Sequence, residues 1–240
     1  MGAADYGDLH AAVYDRIYGH RFVPGAAVRA LVTAADGGAV LELGAGTGRL
    51  AVPLVEAGVV VDGIEASPAM AAWLRAQPSG GGVGVLQVDL AGFVLARSDY
   101  AVAVCAVSTL FMLTHDAQLG CLRSSAVHLR PGGRLFVEAF RPDPARFDAH
   151  GRRVEDRSTP AGGHRVVRSV HDGVGRTVRV THELADGAYE VVLHYRTVAE
   201  LDSIAALAVF RLVDRWHDWR GRPAQAVSTD PVSVHVLAAH

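Results

Sequence analysis

Three carboxylates fall where short apolar runs give way to loops. Glu42 sits two residues before the first glycine of Leu41-Glu42-Leu43-Gly44-Ala45-Gly46-Thr47-Gly48; Glu65 ends Gly63-Ile64-Glu65, nineteen residues beyond Gly46; Asp89 follows Gln87-Val88. An acid before such a loop suits an ammonium group, one at the second strand end is where a ribose diol is gripped, and one after a third strand accepts from an exocyclic amine. Glycines at alternate positions let the backbone pass under a ligand where a Cβ would collide. The dinucleotide pattern G-x-G-x-x-G needs glycine at position 49, which is Arg49, and Glu42 repels a pyrophosphate. The set therefore asks for a ligand with ammonium, ribose and adenine groups but no phosphate, and disfavours a nicotinamide cofactor.

A second group of residues could act on another reactant. His115, Glu138 and Arg141 fall near the ends of the fourth and fifth apolar runs, and Phe111 lies in Ser108-Thr109-Leu110-Phe111-Met112-Leu113. Glu138, in Val137-Glu138-Ala139-Phe140, is an acid within a buried run, costly unless paired; a salt bridge to a neighbouring Arg is the alternative to a chemical role. Tyr14 and Tyr18 share a helix face at i, i+4, with His20 and Arg21 just beyond, and packing or capping would also account for them. Tyr195 lies on a segment of alternating residues. No His-x-x-x-His pair or carboxylate-rich run suggests a metal site, so none is expected. All 23 cationic side chains are Arg, with no Lys and no Asn. That removes phosphate-binding and Schiff-base lysines, and any general base must come from His, Tyr or a carboxylate.

The elements that must position these residues alternate between strand and helix, as in a parallel sheet with crossover helices. Strands are expected over 40–43, 59–64, 83–88, 100–107 and 134–140. Helices are expected over 9–33, 49–57 (stopped by Gly58), from the Ser67-Pro68 start to about 77, and over 116–129. Then the period changes to two: 164–171, 176–184 and 189–197 read as a three-stranded antiparallel meander, turned at Asp172-Gly173 and Asp186-Gly187. A helix over 199–208 and strands over 210–216 and 232–237 close the chain.

The 240 residues are half apolar with net charge −2, enough for a sizeable core and without the basic stripe a nucleic-acid surface needs. Cys105 and Cys121 form no redox or metal pattern, the start carries no secretory signal, and no run reaches the roughly 20 apolar residues of a membrane span. A soluble cytoplasmic protein is expected, with a small-molecule acceptor, no nucleic acid and no membrane as partners; a homodimer stays open.

S-adenosylmethionine carries the three required groups, and the chain resembles the class I S-adenosylmethionine-dependent methyltransferases. The resemblance rests on E-L-G-A-G-T-G, on Glu65 within Gly63-Ile64-Glu65-Ala66-Ser67-Pro68-Ala69-Met70, on Asp89-Leu90 and on Leu129-Arg130-Pro131-Gly132-Gly133. Val13-Tyr14-Asp15-Arg16-Ile17-Tyr18 and the meander are similar to natural-product enzymes such as sugar N,N-dimethyltransferases. The resemblance implies an α/β, Rossmann-like seven-stranded sheet of order 3-2-1-4-5-7-6, last strand antiparallel, with the meander inserted. It implies a helical cap (1–36), a cofactor-binding core (37–142), a substrate-lid insertion (143–198) and a completion of the sheet (199–240).

For the site it implies that Gly44, Ala45, Gly46 and Gly48 face the methionine and ribose, with Glu42 nearby. Glu65 holds the ribose hydroxyls, Ala66 and Met70 line the adenine, Asp89 and Leu90 meet its edge, Ala106 lies beneath the sulfonium, and Tyr14 closes over the cofactor. Tyr14, His115 and Glu138 are the catalytic candidates; Tyr18, His20, Phe111, Arg141 and Tyr195 are the acceptor-binding ones. The activity implied is methyl transfer to an O, N or C nucleophile of a small metabolite, leaving S-adenosylhomocysteine. A cyclisation using bound cofactor and a non-catalytic binding module are the alternatives. Absence of an Asn/Asp-Pro-Pro-aromatic run after the fourth strand argues against base or glutamine methylation.

Overall fold

The computed structural model describes residues 7, 8, 11, 14, 24–158, 164–184 and 187–238. Helix α1 (Gly25–Ala35) leads into β1 (Val40–Leu43), α2 (Ala51–Glu56), β2 (Val61–Ile64), α3 (Pro68–Ala76), β3 (Gly84–Leu86), β4 (Tyr100–Cys105), α4 (His115–His128) and β5 (Leu129–Glu138). After the inserted strands β6 (Arg152–Ser158), β7 (His164–Asp172), β8 (Thr177–Leu184) and β9 (Gly187–His194) come α5 (Val198–Leu207), β10 (Phe210–Trp216) and β11 (Val232–Leu237).

The seven-stranded sheet has the expected order, β3-β2-β1-β4-β5-β11-β10. β1 to β5 run parallel, and β11 is antiparallel to both β5 and β10. Strands covered on both faces become continuous apolar runs, and β1 and β4 are buried at every position. Alternate residues feed two cores. Leu41, Leu43, Ala103, Cys105, Leu135 and Val137 pack with Leu122 of α4 and Leu201 of α5. Val40, Val102, Val104 and Phe136 pack with Leu31 of α1, Leu54 of α2 and Trp219.

Helix starts follow local chemistry. Ser67 Oγ accepts from Met70 N at 3.1 Å with Pro68 in the first turn, and Thr197 and Glu200 form a reciprocal capping box on α5. Gly58, at φ +83°, ends the turn after α2 with its N–H on Val55 O at 2.9 Å.

Two expectations need correction. The insertion has four strands, in order β6-β7-β8-β9, all neighbours antiparallel. β6 was not expected because Arg152–Ser158 carries one apolar residue, Val154, and shows no apolar alternation. β5 begins at Leu129, so Pro131-Gly132-Gly133 lies within the strand, with Gly132 at φ +73° and a register shift between Tyr100 and Val102 on the partner. Several other elements are shorter than expected, β3 and α2 most clearly. No helix among the described residues is long and apolar enough to cross a membrane.

Candidate functional site

The loop after β1 is pinned to the end of β2: Gly44 N and Ala45 N both donate to Ile64 O at 2.9 Å. Gly44, Gly46 and Gly48 adopt φ +81°, +55° and +90°, a region that side chains other than glycine enter at a cost. A Cβ on Gly44 would lie 2.4 Å from Thr109 Cγ2, and one on Gly48 would lie 2.9 Å from Leu74 and Val52. At Gly46 a Cβ would meet nothing within 4 Å.

Glu65 fixes this loop from the side. Its Oε2 accepts from Gly46 N and its Oε1 from Ser67 N, both at 2.8 Å. Burial pushes its carboxyl upward in pKa, and the Ser67 and Gly46 amides oppose that shift. Ser67 Oγ donates to Asp8 Oδ1 at 2.6 Å, and Ala69 N reaches the same oxygen at 3.1 Å. Asp8 is thereby tied to the first turn of α3, where Met70 is buried and Ala66 half-buried.

A cleft opens above the loop, lined by Tyr14, Glu42, Gly44, Ala45, Gly46, Thr47, Arg49, Leu50, Ala106, Val107 and Thr109. Glu42 is 4% exposed, and its Oε2 has no hydrogen-bond partner. Burial pushes its carboxyl up to about 8; the Ala51 amide and Arg49 charge pull the other way, and the Glu65 charge adds to the rise. The Arg49 guanidinium carbon stands 5.7 Å from the centre of the Tyr14 ring, a cation–π distance. An orphaned carboxylate oxygen in a cleft whose floor is backbone without Cβ fits a ligand that brings an ammonium group close to the chain.

Asp89 and Leu90 lie beyond this cleft, after β3. Asp89 Oδ1 accepts from Ala91 N at 2.8 Å and Leu90 is buried in the core. Tyr18 and His20 lie outside the described residues.

On the other side, β4 leads into a turn in which Val107 and Ser108 adopt φ +52° and +60°, strained for a β-branched residue. Four bonds hold it. Val107 N donates to Glu138 Oε2 at 2.7 Å, Ser108 N to Glu138 O at 3.0 Å, Thr109 N to Ala106 O at 3.1 Å, and Phe140 N to Ser108 Oγ at 2.9 Å. Burial raises the Glu138 carboxyl, and the Val107 amide, the Trp219 indole and Arg49 lower it. The expected salt-bridge alternative for Glu138 thus has Arg49 acting on it through space, while the direct bond goes to backbone.

Phe111 is buried edge-on to Phe140 at 5.5 Å between ring centres, and Phe140 lies 6.5 Å from Tyr195. The Tyr195 hydroxyl is 2.8 Å from His171 Nε2, and Arg176 also hydrogen-bonds to it. His115 starts α4 with its Nε2 3.2 Å from Tyr195 O and its ring edge-on to His194. Gln118 and Arg196 knit the same seam: Gln118 Nε2 donates to His194 O, and Arg196 donates to Gln118 Oε1 and His115 O. Arg141 is exposed, its guanidinium donating to Ala226 O at 2.9 Å. Among the described residues no group of three or more His, Cys, Asp or Glu is placed to hold a metal ion.

The structure therefore brings Tyr14, Glu42, Gly44, Ala45, Gly46 and Ala106 together, with Gly48 outside the cleft lining, and Phe111 and Tyr195 into one aromatic seam. It leaves Arg141 on a surface strand connection. Arg49, Thr109, His171 and Trp219 emerge beside the site without having been proposed for it. Arg49 was visible as the residue replacing a third glycine, whereas nothing in the sequence near Trp219 marks it.

Comparison with known proteins agrees with this geometry. A methyltransferase-domain family model matches residues 40–133. The CcbJ methyltransferase from Streptomyces caelestis is 33% identical, with all of both chains covered and a TM-score of 0.89. A cypemycin N-terminal methyltransferase from a Streptomyces species is 28% identical over 222 residues, 88% of this chain and 89% of that protein. The S-adenosylmethionine-bound amino pentose methyltransferase CalS10 from Micromonospora echinaspora, 23% identical over 96% of this chain and 97% of its own, shares the fold at a TM-score of 0.70. The chain belongs to the S-adenosylmethionine-dependent methyltransferases, among enzymes of natural-product type.

Proposed function

We propose that this enzyme methylates an amine nitrogen on a small metabolite of a secondary-metabolic pathway. The observation that carries the choice of nucleophile is that two of the candidate bases are engaged by the backbone. Glu138 Oε2 accepts from the Val107 amide, and His115 Nε2 lies 3.2 Å from Tyr195 O. A neutral amine attacks without prior loss of a proton, whereas a phenol or alcohol needs a base within reach. The names of two relatives, a cypemycin N-terminal methyltransferase and an amino pentose methyltransferase, support the same reading.

When bound, S-adenosylmethionine supplies a methyl group on a positive sulfur, open to in-line displacement. In this proposal Glu42 faces its ammonium, the Gly44–Gly48 backbone carries its methionine and ribose, and Glu65 accepts from the ribose hydroxyls. Each Glu65 oxygen has a second lone pair beyond the one given to a backbone amide. Asp89 and Leu90 meet the adenine edge, beside Ala66 and Met70. Tyr14, with Arg49 against its ring, closes the cleft and excludes water, and Ala106 lies under the sulfur. The strained Val107–Ser108 turn holds the acceptor side still, and alignment of this kind supplies much of the rate in such a transfer. The insertion backs the acceptor side through Tyr195, which packs in the core with Phe111 and Phe140.

The test is calorimetry with S-adenosylhomocysteine followed by mass spectrometry of amino-sugar and peptide-amine acceptors alongside matched alcohols. Binding in the micromolar range and a gain of one methylene on amines alone are expected. Methylation of the alcohols, or an acceptor altered in structure without any methyl gain, would overturn the proposal.

A further inference from the structure

A second cavity lies on the α1 face of the sheet and shares no lining residue with the cofactor cleft. It is an open hollow of about 370 Å³, within the volume range of small-molecule sites. Its floor is aromatic: Trp219 stacks on Phe136 with centres 6.0 Å apart and planes 23° apart, and Trp216 tilts against the same ring at 5.7 Å. Arg29, Arg134 and Arg220 also line it, all three exposed, and no carboxylate does. The nearby acids are committed elsewhere: Asp214 accepts from the Trp216 indole at 2.6 Å, and Asp218 pairs with Arg222. Among the described residues the three guanidinium groups have no hydrogen-bond or ion-pair partner.

Three like charges around one hollow repel each other and concentrate anions there. Guanidinium forks bind carboxylate or phosphate in two-point fashion, and flat rings on the floor offer a stacking face. We propose that this cavity is a second ligand site, for a planar aromatic anion bearing a carboxylate or phosphate. The ring lies against Trp216 and Trp219 and the anionic group between Arg29, Arg134 and Arg220. The site is separate from methyl transfer: its lining and that of the cofactor cleft have no residue in common.

The test uses full-length enzyme with the cofactor cleft saturated by S-adenosylhomocysteine, and follows tryptophan fluorescence on titration with naphthoate or with the neutral naphthyl methanol. Saturable quenching by naphthoate is expected, with the alcohol at least about tenfold weaker. Arg29→Gln and Arg134→Gln, both at exposed positions, are each expected to weaken naphthoate about tenfold, with unchanged circular dichroism; either variant alone suffices if the other fails to fold. Equal binding of acid and alcohol, binding indifferent to both substitutions, or no saturable quenching would overturn the site. So would naphthoate-independent self-association abolished by Arg134→Gln in sedimentation, which would make this face an interface between copies.

Discussion

Glu65 holds Gly46 from nineteen residues away, its Oε2 2.8 Å from the Gly46 amide while its Oε1 takes the Ser67 amide at the same distance. One carboxylate thus locks the loop after β1 to the start of α3 before any ligand arrives. Both bonded groups are donors, so an amide in place of the carboxylate must turn its NH₂ toward one of them. Glu65→Gln, though isosteric, is expected to weaken S-adenosylhomocysteine binding by about tenfold or more, since hydrogen bonds to a charged group are worth about 1.5–3 kcal/mol. Calorimetry on the purified variant decides it, and a wild-type dissociation constant would show that the double acceptor is not needed.

Glu42 carries a second consequence. Its carboxyl is raised from the ordinary 4.5 to about 8 by burial. Between those values the folded protein keeps a proton that the unfolded chain has released, so the stability of the ligand-free enzyme falls as pH rises across that window. If the cofactor ammonium pairs with Glu42, binding below about pH 8 must expel that proton. Calorimetry near pH 7 in two buffers of different ionisation enthalpy is expected to report release of about one proton. Glu42→Gln should abolish the release and flatten the stability slope measured by denaturant unfolding at about pH 5 and about pH 8.

Much of this was legible in the chain because buried strands and glycine loops write themselves as residue type. The run Val40–Leu43, the E-L-G-A-G-T-G loop and the Ser67-Pro68 cap each have one conformation that suits them, and the structure adopts it. The strand β6 was not legible, because charged residues fill it and hide the period of two. Arg153, Glu155 and Arg157 share one face and pair along it, with Arg157 2.6 Å from Glu155, an arrangement that suits an edge strand and leaves no apolar period. The roles of Arg49 and Trp219 were hidden for another reason: each reaches Glu138 from an element far away in sequence, and no local pattern encodes such a meeting.

The glycines of the loop separate into two kinds. A methyl on Gly48 would strike Leu74 and Val52 at 2.9 Å, whereas one on Gly46 would enter open space within the cleft, and both residues have positive φ. Gly48→Ala is therefore expected to cost about 1–3 kcal/mol through crowding plus about 1–2 kcal/mol for its backbone. Gly46→Ala should pay only the backbone part and lose S-adenosylhomocysteine binding out of proportion to stability. Melting temperature and calorimetric affinity, measured on both, would refute the division if the two variants lost the same share of each.

Glu138 offers a test between proton transfer and positioning. Its Oε2 accepts from Val107 N at 2.7 Å, and Val107 and Ser108 both hold positive φ at the edge of the cleft. A base would lose its function equally on conversion to Gln or Ala, because neither can take a proton. A positioning acceptor would not, since the Gln side-chain oxygen can still receive the Val107 amide while Ala leaves that amide unpaired and the turn unsupported. We expect Glu138→Gln to keep kcat within about tenfold of wild type and Glu138→Ala to lose about a hundredfold, the range in which misplacement by an ångström acts. The pH profile of kcat is expected to be the same in Glu138→Gln as in wild type, because the proton on this carboxyl takes no part in the transfer. Loss of the basic limb of that profile in Glu138→Gln, together with an equal fall in both variants, would instead make Glu138 the base.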